Sequence, residues 1–389
     1  MDAIKEFNNG ANREVVNMKP VENQSCYQYW LDCTDMYGEY YAMQHFSKKI
    51  WKSDFLRDVD ALAAYARIEL GLSKGDVVTV FMPTTVQSIA AFYAFNKIGI
   101  IVNFVHPLLP PESLKEAIEE GHSKCVMILD LLSKKYVDVI NESGLPCIVC
   151  HSSDYGTFVK SNGTKVAELI IKKKFPELKN REDYMTAVKR FARANVKPDC
   201  DPDDIAVYLN GGGTTGKSKT IMLTNDALNY IVYMLGGVNT PVEEIGVDTE
   251  LCTMPFFHAF GFCAGGLSAM HKGSKVIFMP QFDVDKFVAL MKTNKVVEFN
   301  GVPNMYKKLI SHPDFDGPHI KDIKIMDSGG DDLRPAFLKQ FDEVMKKNGS
   351  KATICQGYGL TECSPVVSVC PPEVKEIGTI GLPIAGIEV

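Results

Sequence analysis

Across residues 55–72 the apolar positions Leu56, Val59, Leu62, Ala63, Ala66 and Leu70 recur at helical spacing, with polar residues between them, which predicts an amphipathic helix. The period then changes. "GDVVTVFM" (75–82) is a short apolar run rich in β-branched residues and predicts a strand buried on both faces. "TVQSIAAFYAFNKIG" follows as a helix stopped at Gly99, and "IIVNFV" as a strand. "PPESLKEAIEEG" is a helix opened by proline and closed by Gly121, and "KCVMILD" is a third strand. Strands and helices alternating at such short intervals predict a parallel sheet covered by helices.

The second half has the same texture. "DIAVYLN" (204–210) predicts a strand running into a glycine-rich loop. "SKVIFM", "VVEFN" and "KATICQ" predict further strands, with helices near 284–293, 303–311 and 334–347. Between the halves, "ANVKPDCDPDD" (194–204) holds two prolines, four aspartates and no periodicity, and is the expected subdomain boundary. The expected fold is α/β: two α/β subdomains with helix-covered, largely parallel sheets.

Composition narrows function more than fold. Hydrophobic residues at 46% and charged residues at 23% fit an ordinary globular chain, and a net charge of −6 argues against nucleic acid as a partner. Two uncharged runs, Val77–Asn96 and Leu251–His271, are long enough to span a bilayer. Pro83, Thr84, Thr85 and Gln87 interrupt the first, and Pro255, His258 and three glycines the second. Both read as buried strand–turn–helix units, so no transmembrane segment is expected. "MDAIKEFNNGANREVV" lacks the apolar stretch of a secretory signal. The eleven cysteines are scattered, with Cys147 and Cys150 the one C-x-x-C pair, inside the short strand "LPCIVC". That usage fits a reducing cytoplasm. Residues 165–197 carry ten Lys or Arg against four Asp or Glu. They read as a solvated helical face, with a membrane-surface or acyl-carrier docking patch as the alternative.

Chemistry concentrates in "YLNGGGTTGKSKTIMLTN" (208–225). Gly211, Gly216, Lys217 and Ser218 fit G-x-x-x-x-G-K-S, the phosphate loop of kinases and GTPases. In that loop the Lys-Ser pair opens a helix. Here "TIML" predicts a strand, and a helix begins only after Thr224, Asn225 and Asp226. The loop is therefore expected to join two strands. It still suits phosphate. Gly211, Gly212 and Gly213 let successive backbone N–H groups converge on an anion, Thr214 and Thr215 add hydroxyls, and Lys217 and Lys219 add charge. A polar hairpin tip is the plain alternative.

With Gly213, Thr214, Thr215, Gly216, Lys217, Ser218, Lys219 and Thr220 in order, then "IML", Thr224 and Asn225, the stretch resembles the phosphate-loop signature of the adenylate-forming (AMP-binding) superfamily. That superfamily includes acyl-CoA synthetases, luciferases and peptide-synthetase adenylation domains. Ser218, Thr220 and Asn225 depart from it, standing where proline, glycine and histidine are usual. Further segments follow in the family's order. "MPFFHAFGF" (254–262), with His258 and Phe260, resembles the aromatic-histidine segment at the acyl carboxylate. "NGVPNMYKKLI" (300–310), with Gly301 and Val302, resembles the helix start that walls the acyl pocket. "DSGGDDL" (327–333) resembles the glycine turn over adenine, with Asp331 and Asp332 in place of Ala-Pro. "QGYGLTECS" (356–364) is similar to the Tyr-Gly-x-Thr-Glu signature, and "GTIGLPIAG" (378–386) to the segment after it. The resemblance covers nearly all of residues 1–389 and implies the large N-terminal domain of an adenylate-forming enzyme. The family's ribose-binding Asp segment and its small C-terminal domain would lie beyond Val389, so a truncated large domain, impaired alone in thioester formation, is expected.

The implied activity is ATP-dependent conversion of a carboxylic acid, a fatty acid before others, to an acyl adenylate and then a CoA thioester. Both reactants are anionic, so the site needs preset positive and hydrogen-bonding groups. On this reading Lys219 and the 212–216 amides face the β- and γ-phosphates, Lys217 belongs to the nucleotide-binding set, and Thr361 faces the α-phosphate. Glu362 is a hard oxygen ligand for Mg²⁺. Tyr358 lies against adenine with Gly357 and Gly359 keeping its approach clear, and Gly329, Gly330 and Asp331 border the purine. Lys219, His258, Thr361 and Glu362 form the expected catalytic set. "PFFHAFGF" offers no acid to pair with an ammonium, which disfavours an amino acid substrate. Two alternatives stay open: an enzyme loading an acyl carrier protein, and a non-catalytic nucleotide- or acyl-binding module. Taken singly, His258 and Tyr358 also read as core residues and Glu362 as a first-turn helix acid.

Overall fold

The computed structural model describes residues 21–45, 48–155, 178–211, 219–238, 242–370, 378–384 and 386–389. Helix α1 (Cys26–Asp35) is capped by the Ser25 hydroxyl, which accepts from the Gln28 N–H. Strands β1 (Tyr41–His45) and β2 (Lys48–Trp51) pair antiparallel, and α2 (Lys52–Ile68) is the amphipathic helix predicted over 55–72. The alternation then runs β3 (Val77–Phe81), α3 (Val86–Lys97), β4 (Ile101–Phe104), α4 (Pro111–Glu120), β5 (Ser123–Leu129), α5 (Asp130–Ser143) and β6 (Cys147–Cys150). A capping box between Thr85 and Ser88 starts α3, and every residue of that helix is buried. β7 (Arg181–Asp183) and α6 (Tyr184–Phe191) follow. The basic stretch 165–197 is described from Leu178 onward, where Lys189 and Arg190 occupy the last turn of α6.

The chain continues as β8 (Ile205–Gly211), β9 (Lys219–Thr224), α7 (Asn225–Val238), β10 (Thr249–Cys252) and a π-helical stretch, Phe260–Leu267. Then come β11 (Lys275–Phe278), α8 (Val284–Thr293), β12 (Val296–Gly301), α9 (Pro303–Ser311), β13 (Ile325–Ser328) and α10 (Pro335–Lys347). The last strands are β14 (Ile354–Gly359), β15 (Val366–Val369) and β16 (Leu382–Pro383).

Among the described residues these strands form two sheets. One has the order β7-β6-β5-β3-β4-β8-β9, parallel except for the β8–β9 pair. The other runs β16-β15-β14-β13-β12-β10-β11-β1-β2, parallel from β14 through β1. The segment 194–204 does not separate them. β8, beyond it, pairs with β4, before it, with Val102 opposite Val207. The chain passes between the sheets twice instead, between β2 and β3 and again between β9 and β10. Proline and aspartate there report an exposed connection and carry no information about strand pairing. The β1–β2 pair was not anticipated either: Met43 lies opposite Val276, so residues before α2 complete the second sheet.

One core joins the sheets. Trp30 stacks on Tyr93 at 4.8 Å and meets Phe55 edge-on at 5.5 Å. Phe92 and Phe104, from the first sheet's elements, pack on Phe262 of the π-helical stretch at 4.8 and 5.1 Å. Each fully buried ring contributes about 1.5–3 kcal/mol. Glu250 and Glu298 face each other across β10 and β12, and buried Lys272 spans them at 3.1 and 2.8 Å. Burial, and then the Glu250 charge, push Glu298 up to about 8. Cys147 and Cys150 are buried free thiols in β6, and burial pushes Cys147 up to about 12. No helix among the described residues is long and apolar enough to cross a membrane.

Candidate active site

The C-terminal ends of the parallel strands in both sheets open onto one cavity of about 870 Å³. Pro83 and Thr84 reach it from the end of β3, His106 and Leu108 from β4, and Leu129, Leu131 and Leu132 from β5. From the other sheet come Thr253 and Met254 after β10, Phe282 after β11, Val302 and Met305 after β12, Ser328 to Gly330 at β13, and Gly357 to Thr361 at β14. Ligands of open α/β sheets bind at this edge, because loops there diverge and leave a crevice. The lining is mostly apolar with a few polar groups, the usual make-up of a small-molecule site.

The β8–β9 pair decides between the two readings of the glycine loop. Asn210 is opposite Thr220 and Gly211 is opposite Lys219, so the segment between them joins two antiparallel strands. Lys219 opens a strand, not a helix, which removes the kinase-type reading. The helix starts at Asn225, with the Thr224 hydroxyl accepting from the Ala227 N–H at 3.3 Å. Gly212, Gly213, Thr214, Thr215, Gly216 and Lys217 lie outside the described residues. Lys219 is exposed and has no ion-pair partner among the described residues. Asn225, where the family favours histidine, is fully buried. It accepts from the Cys26 N–H at 3.0 Å and from Asn96 Nδ2 at 2.6 Å, and donates to the Asp201 carbonyl at 3.0 Å. Those bonds commit the side chain to the interior.

The distant Thr-Glu pair arrives at the same hairpin. After β14 the chain makes a single 3₁₀ turn, Thr361–Cys363, which packs over β8 and β9. A β-carbon on Gly211 would lie 3.5 Å from the Glu362 carboxylate oxygen, so the missing side chain leaves room beside that group. Glu362 is exposed and makes no ion pair among the described residues. Thr361 lines the cavity next to it. β14 and β15 change register between Tyr358 and Gly359, a bulge of the kind that re-aims side chains beside active sites. A β-carbon at Gly359 would collide with the Pro365 carbonyl, so only glycine fits where the strand turns. Tyr358 is 44% exposed and faces the cavity with Gly357 and Gly359.

Gly329 and Gly330 line the cavity, and a β-carbon on Gly329 would be 3.6 Å from the Phe260 ring. Phe260 lines it too, as the first residue of the π-helical stretch, a helix type that recurs at functional sites. Asp331 is exposed just beyond the lining, its carboxylate accepting from the Asp332 N–H at 2.9 Å. Gly301 ends β12 behind the wall, and its carbonyl accepts from the Gly329 N–H at 3.3 Å, while Val302 lines the cavity itself.

His258 is exposed to the cavity, which overturns its reading as a satisfied core histidine. The walls that withdraw it from bulk water, and then His106 beside it, hold its imidazole below the ordinary histidine value. The segment around it is pinned by Thr84, whose hydroxyl donates to the Met254 carbonyl at 3.1 Å and accepts from the Phe256 N–H at 3.2 Å. One buried hydroxyl thus bridges the two sheets under the site. Thr84, His106, Leu131 and Phe282 were not singled out as site residues in the sequence. All four follow a predicted or observed strand closely, and that position was the available signal.

A model of the AMP-binding enzyme family matches residues 38–389. The chain is 29% identical over 354 residues to the long-chain-fatty-acid–CoA ligase of Bacillus subtilis, covering 89% of this chain and 61% of that protein. It is 25% identical over 339 residues to the ligase of the same name from Haemophilus influenzae, covering 85% and 59%. It thus spans about three fifths of the length of these relatives. Among solved structures, apo MatB from Rhodopseudomonas palustris superposes with a TM-score of 0.75 at 18% identity, covering 94% of this chain and 65% of MatB, a likeness of fold. The family match takes in both sheets, the hairpin and the Tyr-Gly-x-Thr-Glu turn, and the chain belongs to the AMP-binding enzyme family.

Proposed function

We propose that the protein activates a carboxylic acid with ATP to an acyl adenylate and transfers the acyl group to CoA. The observation that carries this reading is the meeting of Gly211, Lys219 and the Thr361–Glu362 turn beside a mostly apolar cavity that Thr361 lines. Adenylation brings a carboxylate against the α-phosphate, and both are anions. Groups placed in advance lower that barrier because they need not reorganise as charge develops. Lys219 supplies positive charge at the phosphate end, and the Thr361 hydroxyl donates to an α-phosphate oxygen. Tyr358 presents its face to adenine, with Gly329 and Gly330 allowing backbone to lie along the purine. His258 and Phe260 hold the carboxylate end, and Val302 with the leucines after β5 encloses the acyl group.

The oxygen donors at the phosphate end suit Mg²⁺, which favours one or two carboxylates together with substrate phosphates. Glu362, with the space left by Gly211, would hold it. When bound, the ion neutralises phosphate charge. Residues 1–389 are read as the large N-terminal domain of such an enzyme, acting in the cytoplasm. The ligase names of the relatives support CoA as acceptor. Carrier-protein loading is separated from it by offering the full-length protein both thiols. The central test is ATP–pyrophosphate exchange by the full-length protein against a panel of carboxylic acids. Acid-dependent exchange is expected, and none with any acid would sink the reading.

A further inference from the structure

A second histidine, unassigned by the motifs, reaches the acyl end of the cavity from the opposite sheet. His106 follows β4, and its ring lies 4.2 Å from that of Phe257, whose ring is in turn 4.8 Å from that of His258. Both histidines line the cavity. The Leu108 N–H donates to His106 Nδ1 at 3.0 Å. That bond fixes the tautomer. With Nδ1 accepting, the ring proton of a neutral imidazole sits on Nε2, leaving one preset N–H donor. Neither His106 Nε2 nor the His258 ring has a hydrogen-bond partner among the described residues.

Packing holds this donor in place. Pro107, next in the chain, is buried, and the Tyr136 hydroxyl donates to the Leu109 carbonyl at 2.6 Å, which fastens the loop to α5. Across the cavity, Thr84 fastens the Phe257–His258 segment to the end of β3. The two imidazoles are therefore carried by separate strand ends yet held against one aromatic ring. An apolar cavity offers a carboxylate few donors, so an uncompensated oxygen there would be costly.

We propose that His106 is a catalytic residue that donates its Nε2–H to one carboxylate oxygen of the acid, with His258 serving the same group from the other side. This rests on the acid-activating reading above. The pair fixes the carboxylate where one oxygen can attack the α-phosphate. The attacking oxygen forms the new O–P bond as the bond from the α-phosphorus to pyrophosphate breaks, and no proton need move.

The test compares full-length wild type, His106→Phe and His106→Gln by ATP–pyrophosphate exchange with the best acid of the panel. Phenylalanine keeps the contact with Phe257 but has no donor, whereas glutamine restores an N–H. Loss of a hydrogen bond to a charged oxygen predicts a KM for the acid raised about tenfold or more in His106→Phe. The KM for ATP should stay within about twofold of wild type, and His106→Gln should recover part of the loss. An unchanged acid KM in His106→Phe would overturn the proposal. So would a parallel rise in both KM values, or equal impairment of the two variants. A wild type inactive with every acid would instead defeat the functional reading itself.

Discussion

Glu362 and Gly211 are separated by most of the second half of the chain, yet a β-carbon on Gly211 would sit 3.5 Å from the Glu362 carboxylate. The strand entering the glycine loop and the turn after β14 therefore form one surface. Gly211→Ala would press on the Ile221 side chain at 3.2 Å and fill the space beside the Glu362 carboxylate at ordinary contact distance. In the full-length protein, we expect the Mg²⁺ concentration for half-maximal pyrophosphate exchange to rise, with little change in thermal midpoint.

Removing the charges themselves should cost more. Lys219→Ala and Glu362→Ala each delete a group that the proposed function assigns to the phosphate end, and loss of one such preset group typically lowers turnover about 10²-fold. Exchange rates at saturating acid provide the measurement. Near-normal rates in both variants would contradict the placement of the triphosphate.

Gly359→Ala is a stability experiment as much as a functional one. The added carbon has nowhere to go but the Pro365 carbonyl, and overpacking of this kind costs about 1–3 kcal/mol. Urea unfolding should report that loss. The same substitution should weaken nucleotide binding, because Tyr358 and Thr361 flank the displaced backbone.

The Lys272 triad predicts an asymmetry. Lys272→Met leaves Glu250 and Glu298 facing each other without a cation, and should destabilise by about 3–5 kcal/mol. Replacing all three with apolar residues of similar volume should recover much of this in equilibrium unfolding.

His151 sets a pH dependence. Its Nδ1 lies 2.9 Å from Asp130 and its Nε2 lies 3.3 Å from Asp183. The hydrogen bond to Asp130 outweighs burial and raises the imidazole from 6.5 to about 9. A raised value means that the folded state favours the charged ring. Its contribution is complete below pH 6.5 and disappears as pH rises through about 9. Unfolding curves across that window should show stability falling with pH, and His151→Ala should flatten the slope.

Much of the fold was readable because buried parallel strands and their covering helices have different periods. The runs at 75–82 and 303–311 became β3 and α9 with boundaries shifted by no more than a residue or two. Sheet membership was not readable. Nothing in "DIAVYLN" tells that β8 joins β4, since strand pairing depends on contacts distant in sequence. Motif order identified Tyr358, Thr361 and Glu362, whereas Thr84 and His106 escaped notice. A threonine hydroxyl bridging two sheets, and a histidine resting on a phenylalanine, become visible only when their partners arrive from far along the chain.

The pairing of β1 with β11 has a consequence for biosynthesis. More than half the chain separates Met43 from Val276, so β1 leaves the ribosome long before its neighbour. Until then β1 presents an open edge able to bind other extended segments, a recognised hazard for nascent chains. Slowing translation ahead of β11, or deleting β11, should therefore leave the early product dependent on chaperones.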